Sequence, residues 1–116
     1  MSKTTEQLKP VYAPIYAALY PALAKVFQKH GYALAIHGSM ARDFDIIAVP
    51  WTDNISEPQK VVDEITDGFD IWSEKPIHKN YARLVYTVHI AHGECALDLS
   101  FFPYVKKNYK NIEANT

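Results

Sequence analysis

A single cysteine, Cys95, stands in the 116-residue chain. An internal disulfide and a cysteine-built zinc site are therefore excluded, and a reducing compartment is the natural setting. An excess of charge of one sign is also missing. Twelve basic residues face 13 acidic ones, giving a formal net charge of −1, and this balance argues against bulk electrostatic binding of nucleic acid. No apolar run approaches the length of a membrane span, and the opening MSKTTEQLKP lacks the apolar centre of a secretory signal. Internal repeats and low-complexity stretches are absent, and the only tail-like piece is the polar end from about Lys106 to Thr116, expected to be flexible. What is present is an ordinary globular balance, 48% hydrophobic and 22% charged, in a length that suits one domain with a real core. The expectation is a single cytoplasmic domain with no membrane attachment.

From Thr5 to His30 the apolar residues Leu8, Val11, Tyr12, Ile15, Leu19, Leu23 and Val26 recur at steps of three and four, the signature of an amphipathic helix. Pro10, Pro14 and Pro21 interrupt it, so the helix is expected to begin near Pro10 or Pro14 or to kink at Pro21, with Gly31 as its stop. Two short apolar runs follow, Tyr32 to His37 and Asp45 to Trp51, each bounded by breakers and each read as a buried strand. Ser56 is placed to cap a second helix of about three turns, with Glu57 and Pro58 in its first turn and Gly68 at its end. After the connector FDIWSEKP, the β-rich runs Arg83 to Ala91 and Glu94 to Phe102 flank His92-Gly93, a hairpin signal. The order helix, strand, strand, helix, strand, strand predicts an α+β domain with a small mixed or antiparallel sheet flanked by helices.

Counting outward from a His92-Gly93 turn sets Thr87 opposite Asp98. On the last strand Cys95, Leu97, Leu99 and Phe101 then share the core face, while Ala96, Asp98 and Ser100 share the other. An aspartate between two leucines in an apolar strand calls for a reason. Asp43 and Asp45 supply one. Two apart, they leave one face of a strand that begins by Asp43, and two carboxylates so close repel unless a cation lies between them. Magnesium takes carboxylate oxygens and keeps sites for water and phosphates, so Asp43, Asp45 and Asp98 form a candidate metal-ligand set. Upstream, Gly38 allows close backbone approach to a phosphate and Ser39 offers a hydroxyl donor, with Arg42 as an accessory cation.

These residues carry a resemblance. A strand ending in Gly38-Ser39, then Asp43 and Asp45 in RDFDIIAV, then a lone Asp98 in ALDLSFF, resembles the nucleotidyltransferase fold of the DNA polymerase beta superfamily, and in size the minimal nucleotidyltransferases. The match covers about residues 30 to 102. It implies a nucleotidyltransferase-like fold and transfer of a nucleoside monophosphate from a nucleoside triphosphate to a hydroxyl on a protein, a nucleic acid or a small molecule, using two magnesium ions. It further implies that Asp43 and Asp45 bind both ions, that Asp98 binds the catalytic one and orients or deprotonates the acceptor, and that Gly38 and Ser39 hold the phosphates. The interval Met40-Ala41-Arg42 is shorter than the family commonly has, which implies a nucleotide pocket that is altered or lost. Two alternatives stand beside the enzyme. One is a catalytically silent domain of the same fold that binds a protein or nucleotide partner, and the other is an unrelated small α+β interaction module.

Other polar and aromatic residues have plainer readings. His37, directly before Gly38-Ser39, has the chemistry to contact a phosphate or base, with a strand-end hydrogen-bonder as the default; His89 shares the Asp98 face and so is a candidate acid-base helper, and His92 is a turn residue. No histidine pair has zinc-ligand spacing. Trp51 and Trp72 have the chemistry to stack on a base, but packing in a core or interface is the default for each. Tyr12, Tyr16 and Tyr20 form a helix stripe for the core or a partner. The basic and aromatic KKNYK is read as a solvated terminus, and Cys95 as an inert core thiol.

Overall fold

Pro14 lies in the first turn of the first helix, where a missing backbone donor costs nothing, and the helix α1 runs Ala13–Lys29 straight through Pro21. This is seen in a computed structural model that describes residues 12–68, 72–90 and 95–105. Pro10 and the KKNYK segment lie outside the described residues. α1 buries Tyr16, Leu23 and Phe27, and Tyr12 and Tyr20 pack partly against the same core, so the tyrosine stripe faces inward. Gly31 ends the helix at φ +90°, and a Cβ there would sit 2.5 Å from the Asn54 carbonyl oxygen. Its own carbonyl accepts the Trp51 N–H at 2.9 Å, which ties the helix end to the end of the second strand.

The strands are β1 (Tyr32–His37), β2 (Asp43–Pro50), β3 (Trp72–Ser73), β4 (Ile77–Lys79), β5 (Arg83–Ile90) and β6 (Cys95–Phe101), and helix α2 (Pro58–Gly68) stands between β2 and β3. They form one mixed sheet in the order β1-β2-β6-β5-β3, with β4 also pairing β5. The β2–β6 pair is parallel and the others are antiparallel. Among the described residues the architecture is thus α+β, with a mixed six-stranded sheet and two helices. β3 lies within the connector FDIWSEKP and β4 between that connector and Arg83, both where the sequence pattern leaves no strand, and β2 starts two residues earlier than its apolar run, at Asp43.

Alternation decides which side of the sheet is covered. Phe44, Ile46 and Ala48 on β2, Leu97, Leu99 and Phe101 on β6, and Leu84, Tyr86 and Val88 on β5 are buried together with Val61, Val62 and Ile65 of α2 and the inner residues of α1. Phe101 is the aromatic centre, with ring centroids 5.2 Å from Tyr32, 5.7 Å from Tyr86 and 5.9 Å from Phe27. Cys95 is buried in this layer, as its place in the alternation requires. Both helices therefore cover one face, and the intervening residues of each strand point to the other.

Ser56 does not cap α2 as its position suggests. The helix begins two residues later, at Pro58, and the Ser56 hydroxyl lies 2.7 Å from His30 Nδ1 instead. His30 Nε2 meets Glu64 at 2.7 Å, and Lys29 also bonds Glu64. The lysine ammonium first, and the histidine second, hold the Glu64 carboxyl below its ordinary range. The result is a polar clasp joining the end of α1 to α2. Trp51 is not in the core either. It follows the last residue of β2 and is 77% exposed. Among the described residues no helix is long and apolar enough to cross a membrane.

Candidate functional site

On the face of the sheet away from the helices, the strand registers bring polar residues into rows. His37 pairs with Asp45 across β1–β2, Asp45 pairs with Asp98 across β2–β6, and Asp98 pairs with Thr87 across β6–β5. Directly opposed residues of neighbouring strands share a face, so His37, Asp45, Asp98 and Thr87 form one line across four strands. A second line, one alternation along, runs Asp43, Ala96, His89 and Trp72. The Thr87–Asp98 opposition is the one expected from a His92-Gly93 turn, although the turn itself lies outside the described residues. Asp45 and Asp98, far apart in the chain, are next-door neighbours because β2 and β6 are parallel and in this register.

The electrostatics follow from that placement. Partial burial pushes the Asp45 carboxyl above the ordinary aspartate range, and the charge of Asp98 pushes it further. His37 pulls it back down, and the more distant Asp43 adds a smaller upward push. Gly38 closes the other side of the carboxylate. It sits at φ +77°, and a Cβ built on it would fall 2.5 Å from Asp45 Oδ2. Only a residue without a side chain lets the backbone lie against this oxygen. Asp45 is thus held between the glycine turn and Asp98, while Asp43 and Asp98 are exposed.

No protein-family model matches this chain, and no curated protein matches it.

The loop 38–42 that precedes the carboxylates is short but well anchored. Ser39 Oγ accepts the Ala41 N–H at 3.2 Å, so the serine closes a local turn and keeps its own hydroxyl proton for another acceptor. Met40 takes φ 62° and packs its side chain against the core. The Tyr12 N–H donates to the Ala41 carbonyl at 3.0 Å, and the Tyr16 hydroxyl donates to the Arg42 carbonyl. Arg42 therefore serves the loop through its backbone, and its exposed side chain extends from the loop's end. Tyr16 also stacks on Phe44 with ring centroids 4.8 Å apart, and the Ala96 N–H reaches its oxygen at 3.3 Å. Burial is the main reason its phenol is pushed up to about 12, so it stays a neutral donor throughout the usual pH range.

One residue of α1 thus ties the loop to both carboxylate strands. Replacing Tyr16 by Phe keeps the ring and removes the donor, leaving a partly buried carbonyl unpaired. The variant is expected to lose about 1–3 kcal/mol of stability. Chemical denaturation of the pair of proteins measures this, and a change under about 0.5 kcal/mol would show that the hydroxyl does not hold the loop.

All six candidate residues, Gly38, Ser39, Arg42, Asp43, Asp45 and Asp98, lie at one end of the open face or in the loop beside it. Their functional neighbours include two that the sequence reading undervalues. His37 is the cross-strand partner of Asp45, and Glu74 Oε2 binds His89 Nε2 at 2.6 Å. Among the described residues, no group of three or more His, Cys, Asp or Glu side chains is arranged to hold a metal ion by itself. The oxygen-only pair Asp45 and Asp98 nonetheless suits magnesium, which binds through one or two carboxylates and completes its shell with water and substrate phosphates.

Proposed function

We propose that this chain is a magnesium-dependent nucleotidyltransferase-like protein, which moves a nucleoside monophosphate from a nucleoside triphosphate to a hydroxyl. The reading is carried by one observation, the side-by-side pairing of Asp45 and Asp98 on an open sheet face with Gly38 laid against the Asp45 carboxylate. Two carboxylates kept together at the cost of mutual repulsion make sense where a divalent cation belongs between them. Asp45 and Asp98 would hold magnesium, with Asp43 completing a second position. Bound there, the metal would neutralise charge on the phosphates and favour departure of pyrophosphate.

The chain's own residues would do the rest. Gly38 and the Ser39 hydroxyl donate toward the phosphate oxygens, and Arg42 adds a positive charge at the loop's end. Asp98 orients the acceptor hydroxyl and takes its proton as the oxygen bonds to the α-phosphorus. The bond from that phosphorus to the bridging oxygen breaks, and pyrophosphate leaves with the electron pair. A second reading, a catalytically silent domain of this kind that acts through a protein or nucleotide partner, is favoured by the three-residue interval between Ser39 and Asp43, which offers few backbone donors to a triphosphate.

The test is incubation of the chain with each of the four triphosphates, labelled at the α-phosphate, and magnesium. Label is expected to appear on the protein itself, on a co-purified partner, on RNA or on a small hydroxyl compound. Calorimetry of magnesium and each triphosphate separates the two readings. The absence of magnesium-dependent triphosphate binding removes the enzyme and supports the silent domain, and transfer of label removes the silent domain.

A further inference from the structure

Trp72 is a large apolar residue on an outermost strand, 57% exposed, and it contributes nothing to the core. It is nevertheless held. Its cross-strand partner is His89, and the two rings stack with centroids 4.2 Å apart and planes 22° from parallel. His89 is fixed in turn by Glu74 at 2.6 Å, and the Glu74 N–H continues the pairing by donating to the Thr87 carbonyl at 2.9 Å. An exposed indole backed by an oriented imidazole is a flat, rigid, preformed surface.

Its position gives that surface a use. Trp72 and His89 stand in the row that runs from Asp43 through Ala96, on the same face as Asp98. By ordinary sheet spacing Trp72 is two strands, about 10 Å, across from Asp98 and about 7 Å along it. Gly38 and Ser39 lie on the opposite side of the carboxylate pair, toward β1. In-line displacement brings the acceptor from the side opposite the leaving pyrophosphate. With phosphates over Gly38 and Ser39, that side is β5 and β3, where the aromatic pair stands.

We infer that Trp72, backed by His89, is a stacking platform for a nucleobase, a binding site separate from the one that holds the triphosphate. Under the proposed transfer reaction, on which this side assignment rests, the base belongs to the acceptor, and the acceptor is a nucleoside or a nucleotide chain whose sugar hydroxyl reaches Asp98. Every base has a π-face, so stacking tolerates several bases, and Glu74 offers a carboxylate to an amino group at the platform's rim.

Trp51→Phe leaves Trp72 as the only indole of the chain, which has two. Titrating that variant with AMP, GMP, CMP and UMP, without magnesium, is expected to give saturable quenching of indole fluorescence with at least one of them. Calorimetry with the same monophosphate, in a Trp72→Leu chain that retains Trp51, is expected to show binding about 5- to 150-fold weaker. Circular dichroism confirms that both variants are folded. No saturable quenching with any monophosphate, or unchanged affinity in Trp72→Leu, overturns the platform. Quenching that needs a triphosphate with magnesium and vanishes in Asp45→Asn overturns the separate site, because the donor's own base is then on Trp72. If monophosphates quench but no triphosphate binds with magnesium, the platform stands and the transfer reaction falls.

Discussion

Under the proposed transfer reaction, Asp45→Asn is expected to reduce magnesium-dependent nucleotide transfer by at least about 1000-fold, and in the same experiment to make the metal-free protein melt at a higher temperature at pH 7. The two effects have one cause. Asparagine keeps the size and one oxygen of the side chain but removes the charge, and loss of a metal-binding carboxylate costs several kcal/mol of transition-state stabilisation. Without metal that charge is a burden, because burial and Asp98 raise the Asp45 pKa above its unfolded value.

The direction with pH follows. A carboxyl whose folded pKa is raised contributes its stability below the unfolded value, near 3.9, and loses it as pH rises through the folded value. At pH 7 the ionised Asp45 therefore weakens the fold, and Asn removes the penalty. The difference in melting temperature should shrink toward pH 3, where the Asp45 carboxyl with its raised pKa is protonated. Magnesium with a triphosphate should stabilise the parent and leave the variant unmoved, by ordinary binding linkage. Thermal scans at pH 3, 5 and 7 measure all of this. A variant that melts lower than the parent at pH 7 would show that Asp45 is not strained by its neighbours.

A second pair of variants separates structure from site. Gly31 and Gly38 both have positive φ, +90° and +77°, so alanine at either is expected to cost about 1–2 kcal/mol in backbone strain alone. The collisions differ. At Gly31 the new Cβ meets the Asn54 backbone carbonyl at 2.5 Å and the Thr52 and Ile55 side chains at 2.7 and 2.8 Å, so the end of α1 has to move against the loop after β2. Gly31→Ala should be the more destabilising, by more than about 2 kcal/mol, and should leave metal and nucleotide binding intact in the molecules that remain folded.

At Gly38 the Cβ meets the movable tip of Asp45, Oδ2 at 2.5 Å. The carboxylate can rotate out of the way, and in doing so it leaves its place beside Asp98. Gly38→Ala should therefore lose only about the strain energy in stability, yet lose at least about tenfold in magnesium-dependent triphosphate binding. Denaturant melts and calorimetry on both variants give four numbers, and equal binding loss in the two would remove the special role of Gly38.

The parts of this molecule that were readable from its chain are those with a long or repeated pattern. Leu19, Leu23 and Val26 repeat at helical steps for long enough to announce α1, and the alternation in CALDLSF set Asp98 on the open face opposite Thr87. β3 and β4 are two and three residues long, too short to show an alternation, and they exist because β5 offers them an edge. The start of β2 at Asp43 was hidden because its first residue is charged, and charge is depleted in strands that lack a ligand or a polar face. Trp51 and Trp72 look like packing residues by type, but one follows the end of β2 and the other lies on an edge, so both are largely exposed. Ser56 has the chemistry of a cap, and the imidazole of His30 competed for it successfully. Glu74 carries no signal at all in its own neighbourhood, because its partner His89 comes to it only through the β3–β5 pairing. Candidate residues were legible where a strand pattern carried them, as with Asp43, Asp45 and Asp98, and illegible where only tertiary pairing joins them, as with Glu74 and His89.

The parallel pairing of β2 with β6 also sets when the carboxylate pair comes into being. β1 and β2 are consecutive and antiparallel, and such local pairs form early and cheaply. β6 joins β2 only after α2 and β3 to β5 have been threaded between them, a closure of high sequence separation that is entropically slow. Burial comes first and the charge of Asp98 second in raising the proton affinity of Asp45, and the Asp98 part exists only once β6 lies beside β2. The acidity of Asp45 is thus a property of the closed sheet and not of the β1–β2 pair alone.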